Sequence, residues 1–148
     1  GFSDAHTRIH IYRAIIEGIN FALMNGIRWL EKQSGSQFEE IYVGGGGAQS
    51  DEICQITADM FGIPVIRTQT FEVSGIGAAM TVFVGMGEFD SYKEAAENMV
   101  FQKERFEPDL EQHKIYNALY EDVFRNIYGK LSPLYQKIND IIHPTAGV

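Results

Sequence analysis

A run of four glycines, Gly44–Gly47, is the feature that most constrains how this chain can fold. It follows three apolar residues of strand type, Ile41–Val43, and precedes a helical pattern from about Asp51 to Phe61. A strand, a glycine turn and a helix start together present bare backbone N–H groups to an anion such as a phosphate. Glycine lets a ligand approach the backbone closely, at an entropic cost that a mere connector rarely carries. A tight turn without a ligand remains the alternative, but the run favours an anion or nucleotide at this turn.

The run matches neither of the two commoner nucleotide-binding loops. A P-loop ends in Gly-Lys-Ser or Gly-Lys-Thr, and no lysine lies near Gly47. A dinucleotide-binding turn requires G-x-G-x-x-G, which Gly44, Gly46 and Gln49 do not complete. The glycines by themselves therefore indicate a nucleotide or anion without identifying it.

The composition excludes several classes of function. The chain has 148 residues, of which 45% are hydrophobic and 22% charged, as in an ordinary soluble domain. Its net charge is −8 without a lysine or arginine cluster, which argues against nucleic-acid binding. Cys54 is the only cysteine, so a reducing, cytoplasmic setting is expected. No apolar run has the length of a membrane span, and no signal peptide is recognisable. Since the chain lacks an initiator methionine and begins within a pattern, we expect a segment of a longer protein.

A long helical pattern precedes the glycine run. Ser3-Asp4 offers an N-cap for it and Gly35 ends it. Apolar residues recur along two of its sides, which predicts a mostly buried helix. Gly18 and Gly26 each cost about 1 kcal/mol relative to alanine within a helix, so we expect another element to pack closely at both.

The patterns around the run predict a βαβ unit. We predict Phe38–Val43 as a strand, Gln49–Phe61 as a helix and Ile63–Ile66 as a second strand parallel to the first. The glycine run then lies at the carboxyl end of the first strand, where open α/β sheets bind ligands.

The rest of the chain is predicted to be mainly helical. Helices are predicted at about Gly75–Gly85, at Tyr92 to about Phe101, and over a long amphipathic stretch from Tyr116 to Ile141. Pro133 predicts a kink or a break in the last of these. We therefore predict one α/β domain over residues 1–148, with a small parallel βαβ core and several long helices.

Other candidate residues have simple structural interpretations. His6 and His10 have the spacing of two zinc ligands on one helix face, but the sequence offers no third ligand. Cys54 lies within a helical pattern and is interpreted as a small buried side chain. Asp59 and Glu72 are candidate catalytic carboxylates that an exposed helix position and a loop explain equally well. No metal site and no catalytic residue is predicted in this chain.

Several spaced motifs make the chain resemble the C-terminal domain of the FGGY family of carbohydrate kinases, over nearly its whole length. Gly45–Ser50 resembles the family sequence G-G-G-A-K-S, with Gln49 in place of the usual lysine. Gln55–Val65 matches Q-x-x-A-D-x-x-G-x-P-V almost letter for letter. Further resemblances lie at Arg13–Gly18, Glu72–Ala79 and Gly85–Gly87.

The resemblance implies a ribonuclease-H-like, actin-like ATPase fold, truncated here to the C-terminal domain, with the N-terminal sugar-binding domain absent. In such kinases ATP binds mainly on the C-terminal domain and sugar on the N-terminal one. By this likeness the glycine turn takes the adenosine and α-phosphate side of ATP, with Ser50 near the adenine. The implied ATP-binding residues are Gly45, Gly46, Gly47, Gln49 and Ser50. Mg²⁺ would be held mainly by the nucleotide phosphates, and the catalytic Asp base would precede Gly1.

The function that the resemblance implies is the nucleotide platform of a kinase that phosphorylates a sugar or polyol; this segment is expected to be inactive by itself. The sequence does not indicate which sugar. One alternative is a non-catalytic actin-like assembly or regulatory module. Another is a related ATPase such as a dehydratase activator, whose iron–sulfur cysteines this chain lacks. The unpaired edge of a short parallel sheet invites pairing between two copies or shielding by the N-terminal residues. We therefore expect either a homo-oligomer or a displaced N-terminal segment.

Overall fold

The computed structural model describes residues 2–143 and confirms the predicted α/β class. The described residues form six α-helices, three strands, a 3₁₀ turn and a π-helical segment. In chain order the elements are α1 (Arg8–Ser34), β1 (Ile41–Val43), the 3₁₀ turn (Gly46–Gln49), α2 (Asp51–Phe61), β2 (Val65–Thr68), α3 (Val73–Gly85), α4 (Tyr92–Met99), β3 (Gln102–Phe106), α5 (Leu110–Ala118), the π-helical segment (Leu119–Phe124) and α6 (Arg125–Ile142).

The chain divides into two compact units, one ending at His113 and the other beginning at Lys114. The first unit contains the sheet and the glycine turn, and the second is helical from Lys114 to Ile142. The assignment of residues 1–148 to one domain stays a prediction. None of the described helices is both long and apolar enough to cross a membrane.

The sheet has three strands in the order β1-β2-β3. β1 and β2 are parallel, with Ile41 opposite Val65, which confirms the predicted βαβ unit. β3 pairs antiparallel with β2, and this strand was missed: the purely parallel core is corrected to a mixed sheet. The first four residues of β3, Gln102–Arg105, are polar or charged and exposed, so the sequence there lacks the apolar signal of a strand.

β1 is shorter than the predicted strand Phe38–Val43, and β2 begins two residues later than the predicted strand Ile63–Ile66. β1 begins at Ile41, and the N–H of Phe38, which was predicted to lie in the strand, is bonded instead to the Glu31 carboxylate at 3.1 Å. β2 begins only after Pro64, which has no N–H to donate to a ladder, although its carbonyl accepts from Ile41 at 2.9 Å.

The core of the first unit lies between α2 and the sheet. It consists of Cys54 and Ala58 from α2, Val65 from β2 and Phe106 from β3, with Ile41 and Val43 packed against them. All four residues of β2 are buried, as in a strand covered on both faces. Each large apolar side chain that is fully buried here contributes about 1.5–3 kcal/mol.

α1 is less buried than predicted. Its buried residues are Ile16, Asn20 and Met24, one stripe that includes the contact with α2, whereas Ile9 is 70% exposed and Trp29 61%. The second apolar side of α1 is therefore not covered by the described residues.

The expected details at the start and along the length of α1 are also corrected. The N-cap is Thr7 rather than Ser3-Asp4, and Nδ1 of His10 accepts a hydrogen bond from the Thr7 N–H at 3.1 Å. A Cβ at Gly18 or at Gly26 would meet no atom within 4 Å, so the close packing expected there is absent among the described residues.

The second unit contains a helix that runs on through the π-helical segment into α6. Tyr120 and Phe124 stack within the π segment, with ring centroids 6.1 Å apart. Pro133 lies inside α6, which continues to Ile142, so the helix is not broken at Pro133, and a kink there stays a prediction. A separate irregularity is the wider π turn, which begins 14 residues earlier at Leu119.

Candidate functional site

The glycine turn joins the carboxyl end of β1 to the start of α2, as predicted. Gly45 has φ 83° and ψ −172°, a backbone conformation that is essentially restricted to glycine. Its N–H donates to the carbonyl of Phe71 at 3.0 Å, which anchors the turn to the segment before α3. The next four residues form the 3₁₀ turn Gly46–Gln49, and Ser50 returns to an extended conformation. The chain thus reverses direction within a few residues.

The four glycines of the run differ in what the fold requires of them. A Cβ on Gly44 would lie 2.1 Å from Cγ1 of Val73, so Gly44 is a packing glycine. Gly45 supplies the positive φ, and it is the only residue of the run that has one. Gly46 and Gly47 are exposed, and a Cβ on either would meet nothing within 4 Å. No packing or strain within the described residues requires glycine at these last two positions.

Gln49 and Ser50 are the last residues of the turn before α2, and only Ser50 makes the cap of that helix. Ser50 is the N-cap of α2: its hydroxyl accepts from the Ile53 N–H at 3.3 Å and donates to Glu52 Oε2 at 2.7 Å. The hydrogen bond from Ser50 lowers the pKa of the Glu52 carboxyl below its ordinary value. Gln49 is exposed beside it. The structure therefore gives Ser50 a capping role, and the predicted place of Ser50 near an adenine stays a prediction.

Arg67 is the residue of this region that sequence reasoning missed. It lies in β2, and its guanidinium bonds Asp51 Oδ1 at 2.5 Å and Glu104 Oε2 at 2.6 Å. It also lies over the ring of Phe106, 4.9 Å from the centroid. A signal was available, because a buried arginine in an otherwise apolar or uncharged strand needs an oppositely charged partner. The sequence could not say which carboxylates would reach it.

Asp59, a candidate catalytic carboxylate, has a structural role. Its Oδ1 accepts from Gln55 Nε2 and from the Asp109 N–H, both at 2.8 Å. Gln55 Nε2 also donates to the Glu107 carbonyl at 2.8 Å. Together these bonds tie α2 to the turn before α5.

The carboxyl end of α2 is closed by Gly62 and His113. Gly62 has φ 70° and ends the helix in the left-handed conformation. The imidazole Nδ1 of His113 lies 3.2 Å from the Asp59 carbonyl and 3.1 Å from the Met60 carbonyl. α2 is therefore fixed at both ends by specific side chains.

A cavity of about 570 Å³ lies next to the glycine turn. Apolar side chains of α1, β1 and α2 form most of its wall, and Gly44, Gly47 and Ala48 contribute to its rim. The amide of Asn20 donates to Thr57 Oγ1 at 3.3 Å in this wall. The described residues contain no group of three or more His, Cys, Asp or Glu side chains that could hold a metal ion.

Comparison with known proteins identifies the family. The model of the C-terminal domain of the FGGY family of carbohydrate kinases matches residues 1–86, which include the turn, α2 and β2. The chain belongs to the FGGY family of carbohydrate kinases. A xylulose kinase from Bacillus subtilis (strain 168) is 36% identical over 128 residues, which cover 86% of this chain and 25% of that protein. A glycerol kinase from Geobacter sp. (strain M21) is also 36% identical, over 76% of this chain and 22% of its own length.

Solved FGGY structures confirm the predicted actin-like ATPase fold. Ligand-bound xylulose kinase from Lactobacillus acidophilus superposes with a TM-score of 0.78 at 22% identity, over 93% of this chain and 28% of that one. Xylulose kinase from Rhodospirillum rubrum superposes with a TM-score of 0.76 at 27% identity, over 92% and 27%. The chain thus spans about a quarter of the length of these relatives.

Proposed function

We propose that this chain is the nucleotide-binding part of an ATP-dependent carbohydrate kinase. The full-length kinase transfers the γ-phosphate of ATP to a hydroxyl of a sugar or polyol, the class of substrate named for its xylulose and glycerol kinase relatives. The observation that carries the proposal is the glycine turn itself. Its open half, Gly46–Gly47, is exposed at the carboxyl end of β1, and no contact within the described residues requires glycine there.

The proposed nucleotide contacts are Gly45, Gly46, Gly47, Gln49 and Ser50. The exposed glycines let the backbone approach a ligand closely, while Gln49 and the rim of the turn offer polar groups. Mg²⁺ is held mainly by the phosphates of the nucleotide. The sugar binds through the N-terminal domain that the family resemblance implies.

The charges at the start of α2 support a contact with the adenosine and α-phosphate side of ATP. Asp51 and Glu52 occupy the first turn of α2, where carboxylates already offset the positive end of the helix dipole. Asp51 is paired with Arg67, so a highly charged polyphosphate would meet the carboxylate of Glu52 at this end, whereas a nucleoside with one phosphate group is better tolerated. This chain therefore contributes the platform for the nucleotide, and we propose no catalytic base within it.

We further propose a cytoplasmic enzyme whose residues 1–148 form one domain. The match to carbohydrate kinases favours this function over an actin-like assembly module and over a dehydratase activator.

We also propose that two copies of the isolated chain pair along β1. β1 is one of the two edge strands of the described sheet, and the apolar cavity lies beside it, so both backbone and apolar groups are available for pairing. Sedimentation of this chain over a range of concentrations tests the pairing. A monomer at high concentration would contradict it.

Two measurements on the full-length protein test the kinase function. A coupled assay of ADP release against a panel of ketoses, polyols and aldonates should show turnover that depends on one of these substrates. Chemical-shift mapping should show that ATP perturbs the amides of Gly45 to Ser50. If saturating ATP left these amides unchanged, the turn would not be the nucleotide contact.

A further inference from the structure

The buried guanidinium of Arg67 joins three elements next to the glycine turn. Its side chain is 6% exposed, and it bonds Asp51 at the start of α2 and Glu104 in β3 while belonging to β2. The two carboxylates are more accessible, at 68% and 44% exposed. The arginine is thus the buried centre of a cluster whose acidic members reach the surface.

Two sets of contacts connect this guanidinium to the glycine turn. Asp51 directly follows Ser50, the cap of α2 and the last residue of the turn region. Nη2 of Arg67 also lies 3.7 Å from Sγ of Cys54, and that thiol in turn lies 3.7 Å from the Ala48 carbonyl within the 3₁₀ turn. A displacement of Arg67 therefore acts on both the beginning and the end of the segment that connects Ala48 to α2.

Arg67 has little tolerance for the loss of Asp51, its partner on α2. Nε of Arg67 is buried and has no hydrogen-bond partner among the described residues, so the guanidinium already carries one unsatisfied donor. The hydrogen bond that Arg67 donates to Asp51 is the main cause that raises the pKa of Arg67, which keeps the guanidinium charged. Loss of Asp51 would leave further buried donors unpaired, which favours a local rearrangement of the start of α2.

We propose that Arg67 is a positioning residue for nucleotide binding: its ion pair with Asp51 fixes the first turn of α2 and so orients the backbone N–H groups of the glycine turn. The proposal rests on the proposed function, since the oriented groups are those that would contact ATP. Arg67 itself does not touch the nucleotide and acts through Asp51.

Arg105 provides a matched control in the same sheet. It lies in β3 opposite Ile66, and its guanidinium also bonds two carboxylates, Glu107 at 2.6 Å and Glu40 at 3.0 Å. Neither of these carboxylates belongs to α2 or to the turn. Arg105→Met therefore removes two ion pairs from the sheet without removing a link to the turn.

Steady-state kinetics of the full-length kinase with ATP separate positioning from general stability. Arg67→Met and Asp51→Asn should each raise the KM for ATP about tenfold, as a misplaced binding group does. The kcat at saturating ATP should change less than about twofold, because the bound geometry recovers at saturation. Glu104→Gln and Arg105→Met should leave the KM for ATP within about twofold of wild type.

Each alternative gives a different result. If Glu104→Gln or Arg105→Met raised the KM as much as Asp51→Asn, the cluster would only stabilise the sheet. If Asp51→Asn lowered the KM, the charge of Asp51 rather than its ion pair would govern ATP binding. Either result would overturn the proposal. Should Arg67→Met fail to fold, Asp51→Asn, which retains the arginine, decides the question.

Hydrogen exchange of the nucleotide-free protein separates this proposal from the proposed function. The amides from Ala48 to Ile53 should exchange faster in Asp51→Asn than in Glu104→Gln. If the wild-type enzyme phosphorylated no sugar while this difference was present, the proposed function would fail, and Arg67 would still be shown to fix the turn. Equal exchange in the two variants would overturn the positioning role.

Discussion

The first and second halves of the glycine run differ in what the fold requires of them. Gly44 and Gly45 are fixed by the chain itself, through the contact with Val73 and the positive φ. Gly46 and Gly47 are subject to neither constraint. A single run of identical residues therefore combines a structural turn with an open surface, and substitution can separate the two. The variants below are ordered by their expected effect on stability, from the largest to the smallest.

The largest effect is expected for Gly44→Val. The new side chain would overlap Val73, whose Cβ is already 3.2 Å from the position of a Cβ on Gly44. Overpacking of this kind costs about 3 kcal/mol. The thermal unfolding midpoint of the nucleotide-free protein should fall well below that of Gly47→Val, its control within the run. Equal midpoints for the two variants would show that Val73 moves aside without cost.

Gly45→Ala tests the effect of backbone strain in the absence of steric overlap. A Cβ on Gly45 meets nothing within 4 Å, so the cost arises from the backbone conformation alone. This conformation costs a residue other than glycine about 1–3 kcal/mol. The same thermal measurement should place Gly45→Ala between Gly44→Val and wild type. A midpoint equal to that of wild type would mean that the turn readily adopts another conformation.

Ser50→Ala removes the cap at the border between the turn and α2. We expect a loss of about 1 kcal/mol of stability, as for other N-cap serines.

The pKa of Glu52 should rise back toward its ordinary value of 4.5 in Ser50→Ala, because the hydrogen bond from Ser50 that lowers it is gone. In the wild-type protein the lowered pKa of Glu52 stabilises the fold above pH 4.5. This contribution is lost as the pH falls through the lowered pKa. An NMR titration of the Glu52 carboxyl in both proteins measures the change, and an unshifted pKa would contradict the assignment.

Gly46→Val should have the smallest effect on stability and a large effect on ATP. Nothing within 4 Å would contact its Cβ and its φ is not positive, so stability should change by about 0.5 kcal/mol or less. The branched side chain would block approach of the nucleotide, and calorimetry of the full-length protein should show weaker ATP binding. Gly46→Ala should show an intermediate loss. Unchanged ATP affinity in a folded Gly46→Val variant would exclude the open half as the nucleotide contact.

The parts of this structure that could be predicted are those that local sequence determines. The glycine turn, α2 with its ends at Ser50 and Gly62, and the parallel pairing of β1 with β2 each follow from signals within a short stretch. The role of Arg67 could not be predicted in this way, because its partners Asp51 and Glu104 lie 16 and 37 residues away. The exposure of the second side of α1 could not be predicted either, since apolar spacing indicates a face but not whether another element covers it.

The closure of α2 at both ends also limits how its length can change during evolution. The helix has 11 residues and is therefore about 16 Å long. Ser50 is held at one end, and the imidazole of His113 occupies the space beside Gly62 at the other, 2.6 Å from where a Cβ would lie. One inserted residue would lengthen the helix by about 1.5 Å and rotate its far end by about 100°. Ser50 and His113 could then no longer both keep their contacts. We therefore expect FGGY sequences to keep the number of residues between Ser50 and Gly62 constant, a rule that an alignment of homologues can check.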